Sequence, residues 1–354
     1  MWYNDDRGKL KYLFYIYYLA HLVVIGIIKL LIIGIYLNHK KEGEKNMRIV
    51  DYGIDENGKL VRVDGNANLE ILGSAGLGYN APQIVNLNGV KGFLKNSAKS
   101  TTTFDKFEYL FSKLGKFLGV NTADEYIVKD GDNLSTFSKS VTKDDEKLIM
   151  ASKLDEELVD LGKTTITEII EKKKNDEVFT SSLEKIRRDE HSHLIVKGDK
   201  IDYAINDFIN QVNLLQVPNE EEIIKDYIKM CCFDSIIGNK DRNTNNYGLI
   251  KSKDGSYRFA PLFDNATIEI PDVSSNLCLI NAYYIDKMEL LKYLIEKYPE
   301  YTNEILSNDL DKIREDLTSI SKDILNEKEF EWFNSSILSK LKNENIEIIK
   351  SKTL

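Results

Sequence analysis

Three side chains in the stretch from Gly238 to Asn265 have the types and spacing that phosphoryl chemistry needs: Asp241, Asn246 and Asp264. From Gly238 to Asn246 the chain reads GNKDRNTNN, nine residues without an apolar side chain, directly after a run patterned for burial. A carboxylate, an amide five residues on, and a second carboxylate beyond a hairpin are the parts of a metal-dependent transfer site. The first can accept a hydroxyl proton, while the amide oxygen and the second carboxylate can hold Mg²⁺ on nucleotide phosphates. Asp and Asn also crowd ordinary turns, because their side chains bond to nearby backbone, so the loop alone reads equally well as a solvated turn. The Phe263-Asp264 pair beyond the hairpin tips the reading toward chemistry.

The flanking elements are legible. Asn219, after Pro218 and three residues before Glu222, predicts an N-cap with a capping box. Ile223, Ile224, Tyr227, Ile228, Cys231 and Ile236 follow with helical period, and Gly238 can end the helix. Residues 247–250 and 257–260 read as strands joined by Lys253-Asp254-Gly255-Ser256, an Asp-Gly hairpin signal. The hairpin brings the loop of Asp241 and Asn246 to the Pro261-Leu262-Phe263-Asp264-Asn265 segment. The pattern G-N-x-D-R-x-x-x-x-N, followed by P-L-F-D, resembles the C-terminal kinase domain of HipA-like proteins, bacterial serine/threonine kinases related in active-site layout to phosphatidylinositol kinases. The resemblance implies Asp241 as catalytic base, Asn246 and Asp264 as metal ligands, and ATP and Mg²⁺ as cofactors. Where that family usually has His, this chain has Asn243.

Upstream, short β-like runs at 47–52 and 60–63, with turn signals at Asp55-Glu56-Asn57-Gly58 and Asp64-Gly65, predict a small antiparallel sheet. Gly73-Ser74-Ala75-Gly76-Leu77-Gly78 can let backbone N–H groups approach a phosphate, although it matches neither the dinucleotide fingerprint nor a Walker loop. Residues 84–87, Asn88-Gly89 and 90–95 read as a hairpin ending on Lys95. Thr101, Thr102 and Thr103 can cap a helix whose apolar face is Phe107, Leu110, Phe111, Leu114, Phe117 and Leu118, with Glu108 on its edge. In kinases a strand lysine reaches the nucleotide phosphates and a glutamate from the next helix holds it. Glycine loop, lysine, glutamate, Asp/Asn loop and Phe-Asp therefore stand in kinase order, which assigns Gly73, Ser74, Ala75, Gly76, Lys95 and Glu108 to the nucleotide. Runs at 126–128 and 134–141 complete the sheet, and LSTFSKSV resembles the family's segment between lobes.

Beyond Lys143 the pattern turns helical, at 148–161, 166–174, 203–217, 288–297, 309–326 and 330–342, with an irregular stretch at 271–281. His191 and His193 have no third His or Cys nearby and read as loop residues. The fold expected is α+β and bilobal, protein-kinase-like: an antiparallel β N-lobe over 47–143 and a mainly helical C-lobe over 144–354. With 48 basic against 57 acidic side chains, a general affinity for nucleic acid is not expected. Three cysteines give neither a disulfide framework nor metal spacing, which fits a reducing cytoplasm. Residues 12–37 are almost continuously apolar and long enough to span a bilayer. Lys41-Glu42-Gly43 can equally encode a ribosome-binding sequence ahead of a true start at Met47, so a membrane contact is expected only if the segment is translated. The function expected is ATP-dependent phosphoryl transfer to a protein serine or threonine, and the resemblance adds an antitoxin-like partner. A phosphatidylinositol-type lipid kinase, or an inactive kinase fold serving as a binding module, are the alternatives; Asn243 is the feature that favours the last.

Overall fold

The computed structural model describes residues 46–74, 82–96, 104–130, 133–181, 183–188, 191–265 and 276–343. The apolar segment 12–37, Ala75 and Gly76 of the glycine loop, and the Thr101 to Thr103 cap lie outside the described residues.

Strand β1 (Asn46–Ile54) turns at Asp55 into β2 (Leu60–Ser74). Asp55 Oδ1 accepts from the N–H groups of Asn57 and Lys59, both at 2.9 Å, and Gly58 takes φ 74°. Asp64-Gly65 is not a turn, contrary to its composition. It lies inside a continuous ladder from Ile54↔Leu60 to Asn46↔Asn68, in which Gly65 pairs with Ile49, and nine paired residues outweigh a local turn preference. The Asn88-Gly89 turn, with φ 52° and 86°, joins β3 (Gln83–Leu87) to β4 (Val90–Asn96) as its residue types demand. Strands β5 (Glu125–Asp130) and β6 (Asn133–Lys139) complete a closed barrel in the order β1-β2-β3-β4-β6-β5, with β5 pairing back to β1. Its interior is filled by Met47, Ala67, Leu69, Val85, Leu87, Leu94, Val128 and Phe137.

Helix α1 (Phe104–Phe117) sits between this barrel and the helical lobe. Phe107, Leu110, Phe111, Leu114 and Leu118 are buried as the period predicts. Phe107 lies 4.8 Å from Trp332 and 5.8 Å from Phe333, ring centre to ring centre.

In the helical lobe the order is β7 (Lys147–Met150), α2 (Leu154–Asp160), α3 (Ile166–Thr180), β8 (Glu184–Arg188), β9 (His191–Val196), α4 (Lys200–Leu215), α5 (Glu220–Ile237), β10 (Gly248–Lys251), β11 (Tyr257–Phe259), β12 (Leu277–Ile280), β13 (Tyr283–Asp286), α6 (Lys287–Lys297), α7 (Pro299–Leu306), α8 (Leu310–Ile324) and α9 (Glu327–Ser336). Several expectations are corrected. The start of the 148–161 helix is strand β7, recruited by β10 into the three-stranded sheet β11-β10-β7. His191 and His193 lie on β9, which pairs with β8 and, in parallel, with β13; His193 meets the Tyr284 ring edge-on at 5.5 Å. The irregular 271–281 stretch ends in strand β12, α7 had no separate expectation, and the 330–342 helix is α9 followed by a 3₁₀ turn at Leu338–Lys340.

Helix α5 is the axis of this lobe, buried from Tyr227 through Ser235. Gly238 caps its end at φ 67°, as expected. Asn219 opens it, but its side chain does not cap; the amide donates to the Tyr257 carbonyl at 2.8 Å, tying the helix start to the hairpin instead. The three cysteines are buried and free, and burial pushes the Cys232 thiol up to about 12. Among the described residues no helix is long and apolar enough to cross a membrane.

At Gly248, opposite Met150 on β7, a Cβ would stand 2.1 Å from the Ile149 carbonyl oxygen, a backbone atom that cannot swing aside. Gly248→Ala should therefore cost about 1–3 kcal/mol or more, read as a lower denaturant midpoint at unchanged slope; an unchanged midpoint would mean that β7 and β10 are not paired this closely.

Candidate active site

The polar loop after α5 is organised by Arg242, which is fully buried. Its Nε donates to Asp234 Oδ2 at 2.8 Å and Nη2 to Asp234 Oδ1 at 3.2 Å. Nη1 donates to the Asn246 and Phe263 carbonyls at 2.8 and 2.9 Å, and Nη2 also donates to Asn265 Oδ1 at 2.7 Å. One guanidinium thus ties the end of α5 to both loops that the hairpin brings together. Asn239 adds a second clasp: its amide donates to Asp234 at 3.0 Å, and its oxygen accepts the Asp241 N–H at 2.9 Å.

Within this frame Asp241 is half-buried. Asn246 Nδ2 donates to the Asp241 carbonyl at 2.7 Å, so the amide nitrogen is held within the loop and Oδ1 is the atom available for a cation. Asn243, where the similar family has His, donates from Nδ2 to Asp241 Oδ1 at 3.2 Å and accepts the Asn245 N–H at 2.9 Å. It braces the Asp241 carboxylate at Oδ1.

The second loop is anchored to the barrel lobe. Leu262 N–H donates to Asn121 and Leu262 O accepts from Ala123, both at 2.8 Å, a parallel bridge just ahead of β5. Asp264 follows with φ 53°, a left-handed conformation that Asp tolerates better than most residues. That turn aims the Asp264 N–H at Glu108 Oε1, 3.1 Å away, and leaves the carboxylate 47% exposed. Lys95 Nζ lies 3.2 Å from Asp264 Oδ1 and is paired with Glu108 Oε2. Burial works against the Lys95 charge, but Glu108 and Asp264 outweigh it and hold the ammonium above its ordinary value.

Gly73 and Ser74 end β2. Ser74 pairs with Gln83, and Gln83 with Leu94, so both lie two strands across the barrel at the same level as Lys95. Of the expected residues, Lys95, Glu108 and Asp264 are thus in mutual contact, Asp241 and Asn246 share one braced loop, and Gly73 and Ser74 stand at the matching rim. Arg242, Asp234, Asn239 and Asn265 had no expected role. Their signal was a charged residue in the otherwise uncharged end of a helix, Met230 to Ile237, eight positions before an arginine in a polar loop. Among the described residues no group of three or more His, Cys, Asp or Glu could hold a metal by itself. One exposed carboxylate and one amide oxygen suit Mg²⁺, which takes its other ligands from phosphates and water.

No family model matches the sequence, and no curated protein matches it. Solved structures do match its fold. The chain is similar to the proinflammatory kinase CtkA of Helicobacter pylori, with a TM-score of 0.51 and 14% identity over 80% of this chain and 96% of that one. It is also similar to HipA of Shewanella oneidensis MR-1, from a toxin–antitoxin complex with HipB and operator DNA, with a TM-score of 0.47 and 14% identity over 80% of this chain and 68% of that one. The chain has a bilobal, kinase-like α+β fold.

Removing the guanidinium would strand the buried Asp234 charge. Arg242→Met should lower stability by roughly 3–5 kcal/mol, and Asp234→Asn combined with Arg242→Met should cost less than the sum of the single changes. Additive losses in urea unfolding would show that the two residues do not act as a pair.

Proposed function

We propose that this chain is an ATP-dependent phosphotransferase whose acceptor is an alcohol group, a serine or threonine of a protein. The observation that carries the proposal is the contact of Lys95, Glu108 and Asp264 across the two lobes, next to a loop that holds Asp241 and Asn246 in fixed relation. Lys95 would meet the nucleotide phosphates, with Glu108 holding its ammonium in place. Backbone N–H groups of Gly73, Ser74, Ala75 and Gly76 would lie along the same phosphates. Asn246 Oδ1 and the Asp264 carboxylate would hold Mg²⁺, which neutralises charge on the phosphates when bound.

The acceptor hydroxyl oxygen would form a new P–O bond to the γ-phosphorus as the bond to the β-phosphate oxygen breaks. Its proton would pass to Asp241, whose carboxylate is oriented by Asn243. A site of this kind would need ATP on its side of any membrane, as the cytoplasm supplies.

The test is Mg²⁺-dependent ATP turnover and phosphate transfer by the purified protein, with protein and phosphoinositide acceptors offered in parallel. Transfer to the lipid alone would overturn the protein acceptor, and nucleotide binding with neither turnover nor transfer would mark an inactive fold. Asp241→Asn should lower transfer by about 10²–10⁴-fold while ATP affinity stays as in the parent; a variant that keeps most of its rate would remove Asp241 from the role of base. Lys95→Ala and Glu108→Ala should each weaken ATP binding, and together by less than the product of the two effects, because the residues work as a pair.

A further inference from the structure

Glu125, the first residue of β5, is 1% exposed and has no place in the chemistry above. It pairs with Ser138 on β6, which in turn pairs with Phe93 on β4, so it lies on the face of the sheet that carries Lys95, opposite the barrel interior of Leu94 and Phe137. Ser138 Oγ lies 3.5 Å from Glu125 Oε1, at the limit of a hydrogen bond, and Oε2 has no partner. The group within hydrogen-bonding reach is the carboxyl of Glu108, and the other charges facing it are those of Lys95 and Asp264.

Ionised, this arrangement would set three carboxylates, Glu108, Glu125 and Asp264, against the single ammonium of Lys95. Lys95 is already shared between Glu108 and Asp264, and a buried anion beside a second anion is unfavourable twice over, through lost hydration and through repulsion. A proton removes both costs, and the hydrogen bonds say where it sits. Each oxygen of Glu108 accepts a donor, Lys95 at Oε2 and the Asp264 N–H at Oε1. Glu125 has a buried oxygen without a donor, whereas Asp264 is 47% exposed.

We propose that Glu125 is a neutral carboxylic acid in the folded protein, that its O–H donates to Glu108, and that it is a positioning residue fixing the Glu108 carboxylate against Lys95. Burial first, and then the Glu108 charge, push the Glu125 carboxyl well above its ordinary value, with Lys95 opposing. The positioning role rests on the phosphoryl-transfer reading; the protonation does not. A neutral acid used as a hydrogen-bond donor is a known device where burial suppresses ionisation.

Infrared difference spectroscopy of the full chain, parent minus Glu125→Gln, tests the state of the group. A protonated-carboxyl C=O band at neutral pH that the variant lacks is expected, and its absence would overturn the proposal. The unfolded carboxyl ionises near 4.5 and the folded one stays protonated above that. The parent should therefore lose thermal stability relative to Glu125→Gln as pH rises through this value; parallel stability profiles would again overturn it. For the positioning role, Glu125→Gln, whose amide N–H still donates, should keep the parent's ATP affinity, and Glu125→Met should lose about tenfold, the effect of one hydrogen bond to a charged group. Equal affinity in the Met variant, once circular dichroism shows it folded, would refute positioning. If the parent binds no ATP, the phosphoryl-transfer reading and the positioning role fall together, and the band still decides the protonation.

Discussion

A guanidinium sealed from water must find a protein acceptor for each of its five N–H groups, and Arg242 does so with Asp234, Asn265 and two carbonyls. The loops of the candidate site depend on this one group. Without it, the Asn246 and Phe263 carbonyls would lose this donor and Asp234 would keep the Asn239 amide in place of three donors. Such a centre contributes modest net stability, because burying the ion pair offsets much of its attraction. What it supplies is definition: the planar fork has one geometry in which all its bonds form, and that geometry fixes two loops from different parts of the chain relative to each other.

The second constraint runs between the lobes. Asp264 reaches the barrel through its backbone N–H to Glu108 as well as through its carboxylate to Lys95, and Leu262 is bridged to the residues ahead of β5. Helix α1, which carries Glu108, is stacked through Phe107 on Trp332 and Phe333, and its Lys106 pairs with Glu329 at 2.9 Å. The lysine–glutamate pair is therefore closed by packing that belongs to the chain itself, with no added group needed to swing the helix inward.

Much of this was legible from residue types. Asn88-Gly89, Asp254-Gly255 and the period of α1 report local physics, in which the residue that fits a positive φ or an apolar stripe is also the one seen. Residue type and order singled out Lys95, Glu108 and Asp264, and the fold brings those three into contact. What failed was decided at a distance. Leu148 to Met150 reads as the start of a helix and becomes a strand because β10 offers it an edge; Asn219 has capping chemistry but satisfies a carbonyl on β11 instead. Asp234 and Arg242 look like one charge in a helix and one in a loop, and only folding reveals that they form a buried pair. Glu125 was hidden for the same reason, as a carboxylate on a strand end ordinarily points to water.

The apolar cluster in the middle of the molecule has a mechanical corollary. It passes without interruption from Val50 and Tyr52 on β1, through α1, to Cys231 and Phe233 on α5 and Leu317 and Ile320 on α8. Barrel and helices are thus parts of one continuous solid, not two bodies joined by a strap. A chain severed after Lys143 would leave both pieces with a stripped oily face, so each fragment would precipitate alone and the two would be recovered soluble only by refolding around one another.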